Sequence, residues 1–190
     1  MSHAILAPFA LIVVDVQRGF ADAVHWGQRN NPACESNIAT LLEAWREHDQ
    51  PVVFVRHDST EPDSPLRPGT PGNALQPCLT GTPDLLVAKS VNSAFYGEPD
   101  LHAWLQQRQI RDIAICGITT NHCCETTARM GANLGYNVYF VLDATFTHDR
   151  HALDGAMLPA AEIARVTAAN LQDEFGEVIT TKEAVFLVEE

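Results

Sequence analysis

Residues 112–144, DIAICGITTNHCCETTARMGANLGYNVYFVLDA, decide the fold. DIAICG (112–117) and NVYFVLDA (137–144) are apolar runs containing β-branched and aromatic residues. Continuous apolarity, rather than alternation, marks strands buried on both faces, as in parallel sheets. The intervening residues 121–134 predict a helix. The stretch is thus a strand–helix–strand unit.

The same reading extends outward. FALIVV (9–14) is a strand that stops at Asp15, VVFV (52–55) a second and LLVAK (85–89) a third. EVIT (177–180) predicts a sixth strand, with a short C-terminal piece after it. Residues 36–47 carry Ile38, Leu41, Leu42 and Trp45 at helical spacing, with Ser36 or Asn37 as a cap. Residues 99–108 predict a helix opened by Pro99, and 159–174 another with Pro159 in its first turn. Residues 57–83 are rich in Pro, Gly, Ser, Thr and Asp. Such a long connection is commonly functional or disordered. Alternating strands and helices predict one α/β domain over residues 1–190. It is a three-layer α/β/α, Rossmann-like fold around a six-stranded, mostly parallel sheet.

Composition narrows the function. The net charge is −12 over 190 residues, with no basic patch, which disfavours nucleic acid and anionic membranes as partners. No stretch reaches the roughly 18 apolar residues of a membrane span. The apolar start from Ala4 to Val14 has no basic leader and no small-residue cleavage site, and it reads as a first strand. A cytoplasmic location is expected. The five cysteines, Cys34, Cys78, Cys116, Cys123 and Cys124, form no CxxC pair. An odd count does not suggest a disulfide framework, and no metal or other cofactor is expected.

In an open α/β sheet, ligands bind beyond the carboxyl ends of the strands. Asp15 ends the first strand, Lys89 ends the third, and Cys123 opens the helix after the fourth. A cysteine in a helix's first turn meets free N–H groups and the positive dipole end, which favour a thiolate and can hold an oxyanion. Its bland alternative is an inert buried thiol. Cys124 is rotated about 100° from Cys123 and aligns with Ala128 and Gly131, so it reads as core. Cys34, Cys78 and Cys116 also read as structural. Asp15 is either a turn-forming residue or a general base. Lys89, one of two lysines against ten arginines, is either a strand-end lysine or a cation beside the acid and thiol.

LIVVDVQRGF, VAKSVNSAFYG and GITTNHCCETTARMGANLGYNVYFVLDA together resemble the isochorismatase-like cysteine hydrolases, which include nicotinamidases and N-carbamoylsarcosine amidase. The resemblance covers nearly the whole chain. It implies a catalytic Asp–Lys–Cys set at Asp15, Lys89 and Cys123, through the pattern Gly117, Thr120, Asn121, Cys123. It also implies a cis peptide between Ile118 and Thr119 and an oxyanion hole from the N–H groups of Thr119 and Cys123. The implied reaction is C–N hydrolysis of a small molecule through a thioester, in a homodimer or homotetramer. Phe20, Phe95 and His122 flank the three residues in sequence and are candidate substrate contacts.

Two departures matter. Nicotinamidases carry a D-x-H metal pair after the second strand, whereas here the order is His57-Asp58, with no second His nearby. His57 therefore reads as a loop or pocket residue. The alternative activity is vinyl ether hydrolysis of the isochorismatase type, without a covalent intermediate; the presence of Cys123 argues against it. A redox protein using Cys123–Cys124 is disfavoured because the two Cβ vectors diverge. A nucleotide binder is disfavoured because no G-x-G-x-x-G follows the first strand.

Overall fold

The computed structural model describes residues 7–189; the expected strand start at Ala4–Leu6 lies outside them. The first half of the chain forms β1 (Phe9–Val14), α1 (Ala23–Trp26), α2 (Cys34–Glu47), β2 (Val52–His57), β3 (Leu85–Lys89) and α3 (Leu101–Gln107). The second half forms β4 (Asp112–Ile118), α4 (Glu125–Asn133), β5 (Asn137–Phe146), β6 (Arg150–His151) and β7 (Met157–Leu158). It closes with α5 (Ala160–Leu171), β8 (Glu177–Ile179) and α6 (Thr181–Glu189).

Six strands form one sheet in the order β3-β2-β1-β4-β5-β8. Every pairing is parallel, so the sheet is wholly rather than mostly parallel. From β1 the chain builds outward through β2 and β3, then crosses back to place β4 on the other side of β1. That reversal opens a crevice beyond the ends of β1 and β4.

Alternation along β1 sorts its side chains to two faces. Leu11 and Val13 join Cys116, the α2 residues Ile38, Leu41, Leu42 and Trp45, and Ala184 and Val188 of α6. Ile12 and Val14 join Leu101 and Leu105 of α3, Ala128 of α4 and Leu171 of α5. The result is three layers with apolar material on both sheet faces. Trp45 is fully buried and its Nε1 donates to the Phe9 carbonyl at 2.7 Å, pinning α2 to the start of β1. Burial of each such large side chain contributes about 1.5–3 kcal/mol.

Several boundaries differ from expectation for local reasons. β2 runs on through Arg56 to His57, because both continue the pairing with β3. Pro99 does not open α3: the Glu98–Pro99 bond is cis, and Asp100 caps the helix by accepting from Ala103 N–H at 3.0 Å. Pro159 precedes α5, whose first N–H is held by Asp149 Oδ1 at 2.7 Å. The C-terminal piece is α6. The β6–β7 hairpin is too short to leave a periodic signal.

The connection after β2 has its own frame. The Asn73 side chain, nearly buried, donates to the His57 and Leu66 carbonyls and to Asp58 Oδ1 at 2.8–3.1 Å. Gln17 Nε2 reaches the Asn73 carbonyl at 2.9 Å, tying this segment to the end of β1.

Candidate active site

The end of β1 delivers the acid. Asp15 follows Val14 with a backbone φ of 52°, in the left-handed region that a non-glycine residue rarely occupies. Its neighbour across the crevice is the end of β4, where Gly117 has φ 126°. A Cβ there would lie 2.0 Å from the Val14 carbonyl oxygen, so only glycine permits this approach of the two strands. The next peptide, Ile118–Thr119, is cis, as the resemblance implied.

Beyond it the chain makes a wide turn over Thr120–Cys124, in which the Thr119 carbonyl accepts from both His122 and Cys124 N–H at 3.3 Å. Wide turns of this kind recur at functional sites. Thr120 bonds Thr145 at 2.8 Å, and the Thr147 hydroxyl donates to Asn121 Oδ1. The turn carrying both cysteines is thus fastened to the end of β5.

Asp15, Lys89 and Cys123 meet in this crevice. Their exposures are 0%, 3% and 7%, so a charge among them is costly without a partner. Lys89 Nζ donates to Asp15 Oδ2 at 2.6 Å and to Cys123 Sγ at 3.4 Å. Burial alone would lower the Lys89 ammonium, but the charge of Asp15 and the neighbouring Cys123 hold it above its ordinary value. Asp15 Oδ1 is buried without a hydrogen-bond partner among the described residues. Burial pushes the Cys123 thiol up, and Asp15 pushes the same way; Lys89 opposes both and is outweighed. The expected stabilisation of a thiolate by Lys89 is present but is outweighed by burial and Asp15.

Two further residues reach the cluster. His57 Nδ1 lies 3.1 Å from Lys89 Nζ. The Cys123 thiol faces Asn92 Oδ1 at 3.7 Å. Asp15, His57 and Cys123 each offer a donor atom, all within 4.8 Å of one another, a spacing that would suit a metal ion. Here the cation they surround is the Lys89 ammonium. Asn92 stands three positions after Lys89 in the quoted VAKSVNSAFYG, and its polar character at a strand end is a signal that could have singled it out.

The remaining candidates divide. Thr119 is buried at the cis peptide, next to the wide turn. His122 is half-buried, with Nδ1 3.4 Å from Arg150 Nη2; burial and then Arg150 push its imidazole down, so it is neutral near pH 7. Phe20 is buried in an aromatic group, 5.0 Å from Trp26 and 6.5 Å from His148 between ring centroids. Phe95 is not brought to the cluster. Its ring stacks on Tyr136 at 5.7 Å and packs over Gly131. Gly131 stands two helical turns beyond Cys123, roughly 12 Å down the helix. Flanking a site in sequence did not carry Phe95 to it, because the short turn Ala94–Tyr96 aims the ring along α4. Cys124 is fully buried in the apolar cluster with Ala128, and Cys34 and Cys116 are buried on the opposite sheet face.

The sequence matches the isochorismatase domain over residues 9–183. The chain belongs to the isochorismatase family and is a hydrolase. The family protein YrdC of Bacillus subtilis is 37% identical over 177 residues, 93% of this chain and 94% of that one. An isochorismatase-family structure from Chromobacterium violaceum is 33% identical, with a TM-score of 0.91 over 99% of this chain and 97% of that one. A cysteine hydrolase from Pseudomonas syringae pv. phaseolicola is 29% identical, with a TM-score of 0.86 over 96% of this chain and 93% of that one. Relatives named for an activity include Nicotinamidase 3 of Arabidopsis thaliana, 29% identical over 80% of each chain. A streptothricin hydrolase of Streptomyces noursei is 31% identical over 93% of this chain and 63% of that one.

Proposed function

We propose that the protein hydrolyses the C–N bond of a small amide or ureide through a thioester on Cys123. The observation that carries this reading is the division of the Asp15 carboxylate. Oδ2 is engaged by Lys89, while Oδ1 is buried and unpartnered in the crevice shared with a neutral thiol. A buried acceptor without a donor is costly, and such a cost is borne where the atom has a task, here accepting a proton.

Asp15 takes the proton from Cys123 Sγ, and the sulfur attacks the carbonyl carbon. The backbone N–H groups of Thr119 and Cys123 receive the oxyanion. As the tetrahedral adduct collapses, the C–N bond breaks and the Asp15 carboxyl protonates the departing nitrogen. Water then adds to the thioester, giving its proton to Asp15. The C–S bond breaks, the acid leaves, and the proton returns to sulfur. Lys89 keeps its charge throughout and offsets the negative charge passing between Asp15 and the adduct. His122 and Phe20 are proposed as substrate contacts. The name of the nicotinamidase relative supports the choice of bond, and that of the streptothricin hydrolase supports hydrolysis.

The test is a panel of small amides and ureides assayed by ammonia release, with Cys123→Ala as control. Turnover that disappears in Cys123→Ala supports the reading; undiminished turnover in that variant contradicts it. Release of pyruvate from isochorismate, insensitive to Cys123→Ala, would favour ether hydrolysis instead. The working form is proposed to be a homodimer or homotetramer, which sedimentation velocity measures. Among the described residues no helix is long and apolar enough to cross a membrane.

A further inference from the structure

We propose that His57 is the positioning residue of this site: it accepts the third hydrogen bond of the Lys89 ammonium and thereby keeps Asp15 Oδ1 free for the thiol proton. The inference rests on the reading of Asp15 as base and Cys123 as nucleophile.

An ammonium has three N–H donors and no acceptor. Lys89 Nζ has three partners: Asp15 Oδ2 at 2.6 Å, His57 Nδ1 at 3.1 Å and Cys123 Sγ at 3.4 Å. Its side chain is fully buried, so no bulk water stands in for a missing partner. His57 Nδ1 must therefore be the acceptor, which places the ring proton on Nε2. Without that acceptor, the nearest unsatisfied one is Asp15 Oδ1. An ammonium that turned to Oδ1 would occupy the atom that the thiol needs.

The fold holds His57 in place for this task. The β2–β3 register sets His57 directly beside Lys89, so their side chains leave the same face of the sheet. Gln17, fully buried at the end of β1, accepts from His57 N–H at 2.8 Å and donates to its carbonyl at 3.0 Å. Both backbone groups of His57 are thus held by a side chain two residues after Asp15.

The groups facing His57 are Lys89 from β3, Asp15 after β1 and Cys123 from the wide turn. Arg56 and Asp58 flank it and pair with each other at 2.8 and 2.9 Å. Burial pushes the His57 imidazole down, and Lys89 pushes it further, against Asp15 and Asp58. It is neutral near pH 7. Protonation at acid pH would replace the acceptor with a donor facing an ammonium.

The experiment measures alkylation of Cys123 by iodoacetamide, itself a small amide, followed by peptide mass spectrometry across pH. Wild type, His57→Ala and His57→Asn are compared, with half-buried Cys78 as the internal reference. His57→Ala is expected to slow Cys123 labelling about tenfold, the effect of one lost buried hydrogen bond. His57→Asn, whose carboxamide oxygen accepts but does not titrate, is expected to restore the rate and to abolish the acid limb seen in wild type. Wild-type rates and pH profiles in both variants would overturn the proposal. So would a slowed His57→Ala that His57→Asn does not rescue, which marks a merely structural role. Labelling of wild-type Cys123 no faster than Cys78 would instead overturn the nucleophile reading beneath it.

Discussion

The body of β4 and the turn at its end each carry a buried cysteine, and they differ in partners rather than in burial. Cys116 sits among Leu11, Val13 and the α2 side chains, and burial pushes its thiol up. Cys123 is almost as buried, and burial pushes its thiol up as well. Among the described residues no base bears on Cys116; after burial, the other influence on its thiol is a second thiol, Cys78. Cys123 has a carboxylate, an ammonium and an imidazole around it. A raised thiol pKa is thus common to an inert cysteine and to the proposed nucleophile. What distinguishes them is a base placed to remove the proton.

The largest expected effect comes from removing the nucleophile. Cys123→Ala should lower kcat by about 10⁴-fold or more, as for other residues acting in a catalytic unit, with no loss of fold. Steady-state ammonia release and circular dichroism check this. Asp15→Asn should abolish turnover too, and also leave a buried ammonium without its counter-charge. Breaking such a pair costs about 3–5 kcal/mol, which urea denaturation would read as a lower midpoint.

The ion pair also has a pH signature. Burial lowers the Lys89 ammonium, but Asp15 and Cys123 together outweigh it and hold the group above its ordinary 10.5. Its contribution is complete below pH 10.5 and is lost as the pH climbs through the raised value. The expected outcome is a stability that falls in strong alkali, with a smaller alkaline decline in Asp15→Asn. Thermal melts across that range measure the difference.

The smallest effects belong to the other cysteines. Cys124→Ala and Cys116→Ala each leave a small void in a packed face and should cost about 1 kcal/mol, with kcat retained. Loss of turnover in Cys124→Ala, with Cys123 intact, would reverse the assignment within the adjacent pair.

Much of this was legible in the amino-acid sequence because apolar runs that stop at a single polar residue mark strand ends. FALIVV before Asp15 and LLVAK ending in Lys89 put both residues on the carboxyl edge of the sheet. The wide turn at Thr120–Cys124 was not legible: residues 121–134 read as one helix, whereas α4 begins only at Glu125. His57 read only as a loop or pocket residue because Arg56 breaks the apolar run of β2, and its approach to Lys89 depends on a register between two strands separated by a long connection. Gln17 was hidden for a similar reason: its three partners lie in that connection and at the end of β2. Phe95 misled because sequence neighbourhood does not fix direction, and one short turn sent the ring toward Tyr136. The thiol's raised pKa was missed because helix-start and lysine effects were counted without the burial that opposes them.

The most direct test is to trap the intermediate. An amide turned over by the wild type is mixed with the enzyme, quenched in acid within one turnover and mapped by peptide mass spectrometry. The expected result is an acyl group on Cys123, none on Cys124 or Cys116, and no adduct in Cys123→Ala. Turnover that continues in Cys123→Ala, or an acyl group carried by Cys124, would contradict it.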